Sequence, residues 1–317
     1  MGKIDTCTKE YMSNPRIFAD AFNYYFFHGK QVVKPEELTI QDVTELSLTY
    51  GEEQEGLMVP TQKFRDVLKM WTVMTSGDAT YMLLGIENQA NVHYAMPVRN
   101  MLYDALNYSA QVEEVSKQHR KRKDVRGDGF LSGFKKTDKV KPVFTLVIYW
   151  GTKEWDAPRS LFEMMDIKEE IVDIIRDYVN DYKLHIIIPS EIEDFEQFST
   201  ELGHCFRYIQ SSTEAGKLKK LIDDYSDIYS NLDKISGYLL ETVTDTKISK
   251  SAQKEESVNM CKAIEEMMEE AEARGIAKAN METAKIFFEN GGAMEMAIKV
   301  FPMLTQEELL AIKGTSN

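Results

Sequence analysis

The stretch TYMLLGIENQ, residues 80–89, constrains the chain more than any other. Its apolar run from Tyr81 to Ile86 reads as the inside of a sheet. The run stops on Glu87 and Gln89, which share one face of a strand because side chains alternate; Asn88 points the other way. A buried strand that ends in a carboxylate and an amide on one face needs something there to meet them. From Met96 the period becomes helical. Val98, Met101, Leu102, Ala105, Tyr108, Val112 and Val115 make one face, Pro97 suits the first turn, and the helix is expected to run to residue 122.

Upstream, QKFRDVLKMWTVM (62–74) reads as a strand and TSGD (75–78) as a turn, so 62–74 and 80–89 form an antiparallel hairpin. VTELSLTYG (43–51) alternates and reads as another strand. After Asn14-Pro15, residues 15–28 are expected to form a helix, with Ile17, Phe18, Ala21, Phe22, Tyr25 and Phe26 at helical spacing and Gly29 as its stop. Its aromatic run, Tyr24 to Phe27, reads as core rather than as base-stacking surface. Downstream, KPVFTLVIYWG (141–151) is the continuous apolar run of a central strand, and KLHIIIPSEI (183–192) is a further strand. Beyond residue 195 the chain reads helical, including a Met- and Glu-rich stretch at 256–290. The order is therefore helix, three strands, helix, strand over residues 1–195, an α/β class, with a helical C-terminal region over 196–317.

The chain of 317 residues is 43% hydrophobic with a mean hydropathy of -0.38, and no stretch approaches a spanning helix, so no membrane partner is expected. No apolar segment opens the sequence, so no secretory signal is expected. Cys7, Cys205 and Cys261 lie far apart and fit free thiols in a reducing compartment; the five histidines form no zinc pattern. A net charge of -14 argues against nucleic acid as a partner, but the charge is uneven. Between residues 117 and 141 stand ten basic residues: Lys117, Arg120, Lys121, Arg122, Lys123, Arg126, Lys135, Lys136, Lys139 and Lys141. Only Asp124, Asp128 and Asp138 oppose them. This band is either a solvated helix end or a track for DNA phosphates.

In the hairpin Asp66 can lie beside Glu87. Two carboxylates and a backbone carbonyl make a hard oxygen site suited to Mg²⁺ or Mn²⁺, the chemistry that phosphodiester hydrolysis needs. Gln89 could orient a water or contact a phosphate. On spacing alone, the commoner reading of such a pair is an edge-strand face, or partners for nearby Lys and Arg.

RDVLKM, then LLGIENQ, then YAMPVRNMLYDALNY, in the order helix, three strands, helix, strand, resembles the PD-(D/E)XK nuclease superfamily. More closely it is similar to the Rpn family of recombination-promoting nucleases, also described as YhgA-like transposases. YWGTKEWDAPRSLFEMM (149–165) has the same look; the resemblance spans roughly residues 14–195 and is most specific from Leu83 to Tyr108. It implies a restriction-endonuclease-like core of αβββαβ order, a mixed central sheet flanked by helices, and a metal-dependent DNA endonuclease that promotes recombination, cytoplasmic and at the nucleoid when bound to DNA. It also implies catalytic roles for Asp66, Glu87 and Gln89, with Mg²⁺ (or Mn²⁺) held by Asp66, Glu87 and the carbonyl of Asn88. Arg99 and Tyr103 are accessory, and Lys117, Arg120, Lys121, Arg122 and Lys123 would contact DNA. Asp20 on the first helix is either a further site carboxylate or a polar residue of the outer face.

Two departures matter. Arg65 stands where the superfamily has proline, and Gln89 stands where it commonly has lysine. Lys63 and Lys69 are offset so as to face away from Asp66. Arg99 is then the candidate for the missing charge, or a salt bridge that fixes the helix to the sheet. The rival expectation is a nuclease fold that binds DNA or regulates without cutting. A third is a helical interaction module with the Met-rich segment 256–290 as its oligomerisation surface, and a homo-oligomer through the C-terminal helices is an expected partner.

Overall fold

The computed structural model describes residues 2–41, 44–47, 61–64, 66–75, 78–125, 127 and 129–315. The chain starts with two helices, α1 (Lys3–Ser13) and α2 (Pro15–Phe27). Asn14 opens α2 by accepting from the Arg16 N–H, with Pro15 in the first turn, as the sequence predicts. His28 (φ 51°) and Gly29 (φ 80°) close it in the left-handed region, and a Cβ on Gly29 would lie 2.7 Å from the Gln197 carbonyl oxygen. Helix α1 has no counterpart in the sequence reading. Its buried stripe of Cys7, Thr8, Tyr11 and Met12 is short and interleaved with Asp5, Lys9 and Glu10, which hides the period.

The strands are β1 (Leu38–Ile40), β2 (Thr44–Ser47), β3 (Thr61–Phe64), β4 (Val67–Thr75), β5 (Asp78–Gln89), β6 (Val143–Tyr149) and β7 (His185–Ile187). Five form one mixed sheet in the order β1-β4-β5-β6-β7, antiparallel on the β1-β4-β5 side and parallel from β5 to β7; β2 and β3 pair separately. The expected hairpin is present as β4 and β5, in register from Val67↔Ile86 to Thr75↔Asp78. The expected strand 62–74 is in fact two strands in two sheets, with Asp66 at the break. No local turn signal marks that break, because it depends on which distant strand each half pairs with. Within the expected strand 43–51, residue 43 and residues 48–51 lie outside the described residues, as do Arg65 and residues 76 and 77 of the expected turn. The expected strand 183–192 shrinks to three residues.

Helix α3 (Met96–Arg122) links β5 to β6 and matches its expected span. Its expected buried face does not hold. Val98 and Val112 are exposed, whereas Met96, Asn100, Tyr103, Asp104, Ser116 and His119 are buried. The sheet beneath carries a polar group, and the helix turns to meet it: Thr145 Oγ1 of β6 donates to Asp104 at 2.6 Å, joined by Tyr182 Oη from the segment before β7, also at 2.6 Å. Tyr108 of the expected face does reach the sheet, packing on the cluster of Leu68, Leu83 and Val143. Opposite, α2 lays Phe18, Phe22 and Phe26 over Trp71, Leu84 and Phe144, where each fully buried apolar side chain contributes about 1.5–3 kcal/mol.

The remaining helices are α4 (Gly129–Ser132), α5 (Val172–Arg176), α6 (Glu201–Ser211), α7 (Ala215–Asp224), α8 (Ser226–Tyr229), α9 (Lys234–Thr244), α10 (Met260–Glu289), α11 (Met294–Val300) and α12 (Gln306–Thr315). The chain divides into two compact units, residues 1–221 with 233–245, and residues 222–232 with 246–317. The first extends past residue 195: Phe206 of α6 packs on Trp150 (5.2 Å between ring centroids), and Tyr11 Oη lies 3.3 Å from Ser236 Oγ of α9. The second is built on Ala284, Phe288, Ala297, Phe301, Leu304 and Leu309. Cys7, Cys205 and Cys261 are free thiols. Among the described residues no helix is long and apolar enough to cross a membrane.

Candidate active site

Strand β5 carries the answer to its own polar end. The ladder with β4 stops at Val67↔Ile86, and the Asp66 carboxylate takes over, accepting from the Asn88 N–H at 2.7 Å. Asp66 is thereby fixed against the end of β5.

Glu87 has 0% exposure, and its carboxylate lies 3.3 Å from Arg99 Nη2. Arg99 Nε donates to Tyr103 Oη at 3.2 Å, one helical turn away, with the guanidinium over the Tyr103 ring. Burial would lower the Arg99 pKa, but Glu87 first, then Tyr103 and Asp66, outweigh it and hold it above the usual value. Tyr103 is raised by burial and by the Glu87 charge. Asp66 is raised by burial, against the Asn88 N–H, Lys9 and Arg99. Both carboxylates thus act on one guanidinium and one phenol, and Asp66, Glu87, Arg99 and Tyr103 form a single electrostatic cluster.

Gln89 follows on the same face, nearly buried, and its carbonyl accepts from the Trp150 N–H at 2.8 Å. The Asn88 side chain turns to the opposite face, where Oδ1 accepts from Trp150 Nε1 at 2.8 Å. Lys69 also leaves, as its offset requires: Nζ donates to the Ser13 carbonyl at 2.7 Å and sits over the Phe18 ring. Asp20 does not join the cluster and is not on an outer face. It is buried, and its carboxylate accepts four hydrogen bonds from the N–H and hydroxyl groups of Ser199 and Thr200, fastening α2 to the start of α6.

Three residues escaped the sequence reading. Lys9 acts on Asp66 from α1, a helix with no legible period. His93 feels burial and the Arg99 charge, which lower its pKa. Asn100 is fully buried on the inner stripe of α3, and neither of its amide atoms has a hydrogen-bond partner among the described residues, a cost of about 1–3 kcal/mol. The signal for Asn100 was its helical spacing from Met96, Tyr103 and Asp104.

Among the described residues no group of three His, Cys, Asp or Glu side chains gathers in metal-holding geometry. Asp66 and Glu87 nonetheless suit a hard divalent cation completed by carbonyl, water or substrate oxygens.

At the far end of α3, His119 bridges Asp124 (Nδ1 to Oδ1, 2.7 Å) and Asp138 (Nε2 to Oδ2, 2.8 Å), while Lys135 Nζ holds Asp124 at 2.9 Å. Those two aspartates are therefore engaged within the band. Lys117 has Glu113 at 4.0 Å; Arg120, Lys121, Arg122 and Lys123 are exposed, with no ion pair among the described residues. Arg126 and Asp128 lie outside the described residues. Elsewhere, a cleft of about 470 Å³ holds Arg16, Glu201, His204 and Asp233, and burial together with the Asp233 carboxyl pushes Glu201 up to about 7. Comparison with protein-family models, curated proteins and solved structures finds no match for this chain.

Proposed function

We propose that the chain is a metal-dependent DNA endonuclease with a PD-(D/E)XK-type core of the Rpn kind, hydrolysing phosphodiester bonds and so promoting recombination. One observation carries the reading: at the carboxyl end of β5 the wholly buried Glu87 carboxylate lies 3.3 Å from Arg99, with the Asp66 carboxylate held beside it on the Asn88 N–H. Asp66 and Glu87, with the Asn88 carbonyl, would hold Mg²⁺ or Mn²⁺, which when bound supplies charge neutralisation at the phosphoryl oxygen and an acidified water. Gln89 orients the attacking water through its amide. Arg99 supplies the positive charge that Gln89 lacks, and Tyr103 keeps the guanidinium in place through its hydroxyl. The exposed cations at the end of α3 hold the DNA backbone. The second unit, with Ile286, Met296 and Met303 exposed, serves self-association.

A second reading, a DNA-binding or regulatory protein that does not cut, is favoured by the Arg99–Glu87 pair itself. That pair neutralises the carboxylate a cation would need. Supercoiled-plasmid nicking separates the two. The endonuclease nicks with Mg²⁺, stops with EDTA, and loses at least about 100-fold in rate on Glu87→Ala. Plasmid that is bound but stays supercoiled supports the non-cutting reading. Nicking that survives Glu87→Ala removes this site from the chemistry.

A further inference from the structure

Beyond Gln89 and Tyr149, the loops that follow β5 and β6 line a cleft of about 490 Å³, which starts at Ala90, the residue next to Gln89. The space outside the carboxyl ends of adjacent parallel strands is where open α/β sheets bind ligands. A side-chain hydrogen bond ties the two loops: Tyr94 Oη donates to Asp156 Oδ2 at 3.1 Å. Tyr94 is 60% exposed. Its ring is therefore held by its own hydroxyl rather than by burial, and presents a flat, restrained aromatic surface to solvent. Asn91 stands exposed on the same lip.

Charge narrows the ligand. Lys153 is the one cation among the described lining residues, against Glu154 and Asp156, so the cleft repels a run of phosphates and suits an uncharged planar group. The phosphate-attracting band lies at the other end of α3. We infer that this cleft is a base-binding subsite, in which an unpaired nucleobase of the strand held at the candidate active site stacks on Tyr94. The inference rests on the endonuclease reading and adds a substrate class to it. A base inside a duplex is out of reach, so the strand must be single or locally opened there. Asn91 supplies an amide able to pair with the base edge.

The test is fluorescence anisotropy in EDTA, so that binding is read without cleavage. A labelled single strand and the same strand annealed to its complement are titrated with the full chain, with Tyr94→Ala and with Tyr94→Phe. Loss of one base–aromatic stack is expected to weaken single-strand binding about tenfold in Tyr94→Ala and to leave duplex binding unchanged. Tyr94→Phe keeps the ring and most of the affinity. The inference is overturned if the wild-type chain does not bind the single strand, if Tyr94→Ala binds it equally well, or if both forms of DNA lose affinity together. Plasmid nicking runs alongside. Tyr94-dependent single-strand binding without nicking defeats the endonuclease reading alone, and nicking with Tyr94-independent binding defeats only the subsite.

Discussion

At its amino end α3 sets Arg99 against a carboxylate with no exposure to solvent, whereas at its carboxyl end Arg120, Lys121, Arg122 and Lys123 stand in water. The helix macrodipole makes the difference instructive. Cations near a carboxyl end are favoured by the dipole, so the basic cluster stabilises the helix whatever else it does. A cation in the first turns works against the dipole, and Arg99 is held there by Glu87. Buried charges also interact in a low dielectric, where position matters, while exposed ones are screened within about 10 Å at ordinary salt. The first arrangement is specific and costly; the second is tolerant and sensitive to salt.

The largest effect expected from breaking this contrast is at the buried end. Arg99→Met leaves a wholly buried Glu87 without its cation and should destabilise the fold by about 3 kcal/mol, read from urea midpoints. Glu87→Gln should cost less, because Arg99, with its side chain 34% exposed, can be solvated in compensation. Equal losses would show that the burial of Glu87 does not set the balance.

At the exposed end, replacing Arg120, Lys121, Arg122 and Lys123 together by alanine should leave the unfolding midpoint nearly unchanged. The slope of log affinity for duplex DNA against log salt should fall by up to about 3–4 units, from about 0.9 per lost phosphate contact. An unchanged slope would leave the band as a solvated helix end.

The smallest effect is expected from His119, which joins the two regimes because it is buried among exposed charges. Hydrogen bonds to Asp138 and then Asp124 raise its pKa above the ordinary value. A raised folded-state pKa means that this contribution is full below about pH 6.5 and is lost as pH rises through the folded value. The melting temperature should show that decline in the wild-type chain and not in His119→Gln. A wild-type profile that matches the variant would remove the bridge from the stability of the loop.

Much of this was legible residue by residue. The alternation in IENQ puts Glu87 and Gln89 on one face, and the period after Met96 gives α3 its span. Which side of α3 is buried was not legible. Apolar periodicity selects Val98 and Val112, and nothing local says that the sheet beneath offers Thr145 and Glu87 instead of hydrocarbon. Helix α1, and with it Lys9, stayed hidden because its buried stripe is short.

The sequence by itself determined the elements and the facing of their side chains, since both follow from backbone geometry over a few neighbouring residues. Tertiary structure decided the partners. The Asp66 carboxylate meets a backbone N–H 22 residues away, and Asp20 meets Ser199, 179 residues away. A buried carboxylate must find donors or a cation wherever the fold supplies them, and that choice is made by packing between distant segments.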